Sequence, residues 1–148
     1  MDKKRFPIYI PIIMILMVVL LCRDDLESKE REIATYVYKN QETLTHMAST
    51  ALDAGTDQVI LIDGVNDISC WDENGSFVDF NYYSIGLGSV GGTRYGFYYS
   101  PDDTPSAYGG QNVHLSLDEN GWIWNCEDES HGYTMKIMDN WYYYEASF

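Results

Sequence analysis

The chain has 148 residues and a formal net charge of −14, with 9 Lys and Arg against 23 Asp and Glu. A content of 45% hydrophobic and 15% aromatic residues is too rich for a disordered chain, and at this length it supports one packed domain. The acid excess excludes DNA and RNA as partners, because phosphate backbones are held by clustered Lys and Arg.

Lys3, Lys4 and Arg5 precede an uncharged run from Phe6 to Cys22. The run is near the lower limit for a membrane-crossing helix, which takes about 20 residues. Pro7 and Pro11 fall in its first turns, where a missing amide donor matters least. The positive-inside bias keeps the three cations cytoplasmic and places Arg23 onward outside. Three readings compete. A cleaved secretory signal lacks small residues at Val19-Leu20-Leu21. A lipoprotein signal would lipidate Cys22, with Leu21 standing where Gly, Ala or Ser is usual. An uncleaved signal anchor needs nothing further and is preferred. Residues 1–22 are therefore read as a basic start and membrane anchor. The remainder, 23–148, holds 22 acids and six bases. Anionic lipid and wall polymer would repel it, and a basic protein partner would suit it.

An amphipathic helix is predicted within 23–56. Leu26, Ile33, Val37, Leu44, Met47, Ala48, Ala51 and Leu52 recur mostly every three, four or seven residues and share one stripe. Glu27 and Arg31 add an i,i+4 pair worth roughly a few tenths of a kcal/mol. Gly55 is the stop signal, and Thr43 or Thr45 offers a second start after a break near Asn40. From 57 to 148 the texture changes to short β-prone runs at 59–62, 68–71, 77–84, 95–100, 113–117, 122–125, 133–138 and 141–146. Asp-Glu-Asn-Gly occurs twice, at 72–75 and 118–121, with Asp first and Gly fourth as a type I turn prefers. Asp139-Asn140 is a third tight connector. Seven of the twelve glycines fall between Gly86 and Gly110, which marks the irregular part of the sheet domain. The fold class is α+β: a long N-terminal transmembrane and amphipathic helix, then an antiparallel sheet of about six to eight short strands.

Apart from Cys22, the cysteines are Cys70 and Cys126, each beside a Trp-containing segment. Outside the cytoplasm they form a candidate disulfide, with a pair of buried thiols as the equal alternative. Gly86-Leu-Gly88-Ser-Val-Gly91 spells GxGxxG, but a strand-like segment follows it where a dinucleotide site needs a helix, so it is read as a hairpin loop. The carboxylates of Asp102-Asp103 and Glu127-Asp128-Glu129 lack the spacing of a calcium loop. His46, His114 and His131 show no metal spacing, and no GxSxG is present. No metal, cofactor or catalytic residue is assigned.

The aromatic load is the distinctive feature, with 13 Tyr, 4 Trp and 5 Phe. Residues 95, 97 and 99 share one strand face, and Trp141, Tyr143 and Glu145 lie opposite Tyr142, Tyr144 and Ala146. Such rings either fill a core by cross-strand pairing or stand exposed as a platform for a protein or a cell-wall glycan. The candidate contact surface is the Gly86–Gly92 loop, the 100–110 loop and nearby side chains. Its residues are Tyr95, Tyr98, Asp102, Asp103, Tyr108, Trp122 and Trp124.

Tyr95-Gly-Phe-Tyr-Tyr-Ser-Pro-Asp-Asp103, Trp122-Ile-Trp124 and the Asn140-Trp-Tyr-Tyr-Tyr-Glu-Ala146 run resemble a pattern in small bacterial membrane-anchored proteins. That resemblance covers roughly the C-terminal half, implies no assigned activity and transfers no catalytic residue. The plan of basic start, apolar helix, amphipathic continuation and antiparallel sheet is also similar to type IV pilins and pseudopilins. That family implies a Gly before the apolar segment and a Glu at its fifth position, where this chain has Arg5 and Ile10. The expected function is a membrane-anchored extracytoplasmic binding domain without catalysis. A pilin-like assembly subunit and a glycan-binding or glycan-acting protein are the alternatives.

Overall fold

The structure is a computed structural model that describes residues 9–54, 62–71, 76–86, 91–127 and 129–148; within 9–27 only the Met17 side chain is described. The apolar side chains of 6–22 other than Met17, Cys22 with them, the first Asp-Glu-Asn-Gly and most of the expected 59–62 strand lie outside the described residues. Among the described residues no helix is long and apolar enough to cross a membrane.

The fold is α+β. Helix α1 (Tyr9–Ala54) runs unbroken through Asn40, whose Nδ2 donates to the Tyr36 carbonyl at 2.9 Å. It ends one residue before Gly55. Residues 1–32 and 33–148 form two compact units, and the second holds the sheet. In that unit Ile33, Val37, Leu44, Ala48 and Ala51 are buried, with Met47 and Leu52 packed beside them. The 3.6-residue stripe is thus the packed face.

Seven strands follow: β1 (Asp67–Trp71), β2 (Phe77–Gly86), β3 (Gly92–Tyr99), β4 (Ser116–Asp118), β5 (Gly121–Asn125), β6 (His131–Met138) and β7 (Trp141–Ser147). All neighbours are antiparallel, in the order β1-β2-β3-β7-β6-β5-β4. Gly86 pairs with Gly92 across β2 and β3, so the GxGxxG segment joins a hairpin and β3 follows it. Asp118 pairs with Gly121 around the second Asp-Glu-Asn-Gly turn. Asn140 closes the β6–β7 hairpin at φ 68°, a backbone region Asn tolerates.

Two three- and four-stranded meanders meet where β3 pairs with β7. The chain leaving β3 in the middle must reach β4 at the far edge, so residues 100–115 cross a face of the sheet. That face is opposite the helix. Phe80, Phe97, Tyr95, Trp141 and Tyr143 pack with the helix stripe, whereas Phe77, Tyr98, Trp124, Tyr142, Tyr144 and Ala146 pack with Ala107, Tyr108, Val113 and Leu115 of the crossing segment. Every other residue of β3 and β7 goes to each core, as the strand period requires.

Of the two equal readings of the cysteines, the structure carries the pair of thiols. Cys70 lies on edge strand β1 against the helix-side core, and Cys126 follows β5 and packs into the opposite core. Four strands and the thickness of the sheet intervene, far beyond the Cα separation of about 4.4–6.8 Å that a disulfide spans. Both are thiols, and Cys126 Sγ donates to Gln111 Oε1 at 2.8 Å.

Two strand glycines are required by the rings beside them. Gly96 pairs with Tyr144 and Gly132 with Trp124. A Cβ at Gly96 would stand 2.3 Å from the Phe80 carbonyl oxygen and 2.6 Å from the Tyr144 hydroxyl; at Gly132 it would stand 2.3 Å from the Glu145 carbonyl oxygen and 2.5 Å from the Trp124 ring. Gly96→Ala and Gly132→Ala should each lose about 2 kcal/mol or more in urea unfolding, the upper range for overpacking. An unchanged midpoint would contradict this packing.

Candidate functional site

The expected contact residues do not form one surface. Tyr95 is buried on the helix side, and Tyr98 and Trp124 are buried in the opposite core, so none of these three offers a ring to a partner. This corrects the exposed-platform reading: the rings serve cross-strand packing, as in the Tyr98–Tyr142 stack at 5.1 Å and the Phe80–Phe97 stack at 5.0 Å. The Tyr98 hydroxyl is used as well. It accepts from the Ser106 amide at 2.8 Å and lies 2.9 Å from Thr134 Oγ1. Because Thr134 donates its proton to the Tyr143 carbonyl at 2.8 Å, Tyr98 is the donor to Thr134. Burial holds its ionisation well above the ordinary tyrosine value.

Asp103 is a latch for the crossing segment. Its Oδ1 accepts from the Asn140 amide at 2.8 Å and the Tyr142 hydroxyl at 3.1 Å, and its Oδ2 accepts from Lys136 at 2.5 Å. Asn140 returns its side-chain amide to the Ser100 and Pro101 carbonyls. The Lys136 hydrogen bond, then that of the Asn140 amide, holds the Asp103 carboxyl below its usual range. Asp102 is exposed beside it, and Trp122 is half-buried with its ring 6.3 Å from Tyr142.

Of the expected residues, Tyr108 lines the β1–β3 cavity, together with Gly86, Gly91 and Gly92 of the glycine-rich loop. The cavity encloses about 610 Å³ on the face opposite the helix, within the range of about 300–1,000 Å³ typical of ligand clefts. Strand alternation builds it. Asp67, Ser69 and Trp71 come from one face of β1, and Asn81, Ser84 and Arg94 come from β2 and β3. Phe148 and Tyr108 form the aromatic side. The Arg94 guanidinium lies 5.6 Å from the Tyr108 ring centroid and 5.7 Å from that of Phe148, and it donates to the Tyr108 hydroxyl. A bulge between Asn81 and Tyr83 resets the alternation, so that both Asn81 and Ser84 face the cavity.

Asp79 lies next to this cavity, between Ser69 and Tyr98 in register, with only 4% of its surface exposed. Burial pushes its carboxyl up to about 7, opposed by the adjacent Tyr144 hydroxyl and by Arg94, and reinforced by Asp67. Its carboxyl and the Tyr144 hydroxyl are buried together and interact as a hydrogen-bonding pair. Sequence reasoning missed Asp67, Trp71, Asp79 and Arg94 as a group. The available signal was Arg94, one of only two cations after Asn40 in a strongly acidic chain.

In comparisons with known proteins, no family model matches the chain, and no match was found to a curated protein or a solved structure.

The sign of the Asp79 effect follows from linkage. The folded protein holds this proton up to about 7, whereas the unfolded chain releases it near the ordinary carboxyl value of 3.8. The unfolded state therefore binds fewer protons between these values, and stability falls as pH rises through that window. Asp79→Asn removes the titration. Its stability relative to wild type should rise by on the order of 2–4 kcal/mol from pH 4 to pH 8, read from urea unfolding at each pH. A pH-independent difference would contradict a buried, proton-holding Asp79.

Proposed function

We propose that this chain is a membrane-tethered protein whose sheet domain lies outside the cytoplasm and binds a ligand in the β1–β3 cavity without acting chemically on it. The observation that supports the binding role most is the cavity itself. Its convergent polar groups and aromatic side are presented by rigid strands, the usual setting for a preformed site. The tether rests on the uncharged 6–22 segment behind Lys3, Lys4 and Arg5. A signal anchor is the preferred form, with lipidation at Cys22 as the alternative. The acid excess favours uncharged or basic ligands over nucleic acid.

A second reading, a pilin-like assembly subunit, draws support from one long helix whose later part packs on an antiparallel sheet. It predicts recovery of the chain in filaments.

Two measurements test the binding reading. Protease added to intact spheroplasts should digest the sheet domain, and protection of that domain would contradict the extracytoplasmic placement. A thermal-shift screen of the full chain against sugars, amino acids, dipeptides and nucleotides should yield a stabilising compound. Ser84→Tyr, which fills the cavity from an exposed strand position, should abolish the shift. A shift indifferent to that substitution would place binding elsewhere.

A further inference from the structure

On the face opposite the helix, four side chains connect the interior of the sheet to the cavity wall. Asp79 of β2 is buried, and its carboxyl forms a hydrogen-bonding pair with the Tyr144 hydroxyl of β7. Strand β3 lies between them, and Gly96 makes the crossing possible. It pairs with Tyr144, whose hydroxyl lies 2.6 Å from where a Cβ at Gly96 would stand, so the ring reaches over β3 toward β2. The Tyr144 ring packs 5.1 Å from that of Tyr108. Tyr108 lines the cavity, and its hydroxyl accepts from Arg94. The groups that face Asp79 are thus Tyr144 of β7, Arg94 and Tyr98 of β3, Asp67 of β1 and Tyr108 of the crossing segment.

The two protonation states of Asp79 require different partners. A neutral carboxyl shares one hydrogen with the Tyr144 hydroxyl and needs no cation. A carboxylate only accepts, and burying it is costly unless a cation answers it. Burial holds the proton on Asp79 up to about 7, so the change falls near neutral pH. Arg94 is the cation in place to answer it, because its charge already favours the ionised form. Lys136, the other Lys or Arg after Asn40, is held at a different part of the crossing segment by Asp103 and Asp139. In the structure the Arg94 guanidinium lies by the Tyr108 and Phe148 rings, and among the described residues it makes no ion pair with Asp79, as a neutral carboxyl allows. Turning it toward Asp79 draws it off those rings. Tyr108 can follow, because it opens the Tyr108–Gly110 turn, in which Gly109 and Gly110 both sit at φ 66°, a region glycine reaches freely.

We propose that Asp79 is a proton sensor for the cavity: when it ionises, Arg94 turns from Tyr108 to the carboxylate and the Tyr108 wall is released. One side chain with two alternative partners is the bistable element, and the proton selects between them. The sensor goes beyond the binding reading and does not depend on it, because the wall responds with or without a ligand.

The test uses the full chain in detergent micelles, with isotope-labelled tyrosine rings followed by NMR from about pH 5 to about pH 9. Tyr108→Phe and Tyr144→Phe assign the two signals. In the wild-type chain both rings should titrate together, with a midpoint of about 7. Asp79→Asn should flatten both. Arg94→Gln changes an exposed position, so it remains informative if Asp79→Asn perturbs folding. In that variant Tyr144 should still titrate, with its midpoint moved upward because the cation that favours the carboxylate is gone. Tyr108 should no longer follow. Tyr144 titrating while Tyr108 stays flat in the wild type would overturn the coupling to the wall. Tyr108 titrating unchanged in Arg94→Gln would overturn the role of Arg94. Titration that persists in Asp79→Asn, or a flat Tyr144 signal in the wild type, would overturn Asp79 as the sensor.

Discussion

A strand with large rings on both faces cannot remain half covered by water, and β7 is such a strand. Trp141, Tyr142, Tyr143 and Tyr144 are each no more than 2% exposed. Burying a large side chain of this kind contributes about 1.5–3 kcal/mol, but only if something covers each face. The helix stripe of Ile33, Val37, Leu44, Ala48 and Ala51 covers one face, and the crossing segment between β3 and β4 covers the other. The central position of β7, between β3 and β6, follows from the same need. A central strand has neighbours that supply rings on both sides, and an edge strand does not.

The second cover is irregular chain, so polar bonds hold it in place. Asp103 bonds to the Asn140 amide, Tyr142 and Lys136, Asn140 bonds back to the Ser100 and Pro101 carbonyls, and Tyr98 accepts from the Ser106 amide. These contacts join the crossing segment to the β6–β7 hairpin and to β3. The Tyr108–Gly110 turn then lies near Trp71 and Phe77 and forms one wall of the cavity. The cavity is thus a by-product of the same covering segment, which leaves the corner by Arg94 open.

Periodicity made the architecture legible. The helix stripe, its end at Ala54, the two-sided pattern of β7 and the hairpin turn at 118–121 all follow from local spacing, and each is found. The edges were less legible. β3 begins at Gly92, ahead of its first aromatic, because Thr93 and Arg94 pair with Ser147 and Ala146 of β7. β4 is confined to Ser116–Asp118 because Val113 and Leu115 belong to the crossing segment, where they pack into the second core. The two readings of the cysteines could not be separated locally, since only the strand order shows Cys70 and Cys126 on opposite faces. The candidate site was the least legible part. Tyrosines are distinctive in sequence but were consumed by the cores, whereas Asp67, Asp79 and Arg94 are ordinary residues until register brings three strands together.

Amide hydrogen exchange on β7 tests this account most directly. With both faces sealed, the amides of Tyr142, Tyr143 and Tyr144 should exchange only through global unfolding, with the opening free energy that urea unfolding gives for the whole sheet domain. If those amides exchange as readily as the exposed edge strand β4, the crossing segment does not seal the second face and the account is wrong.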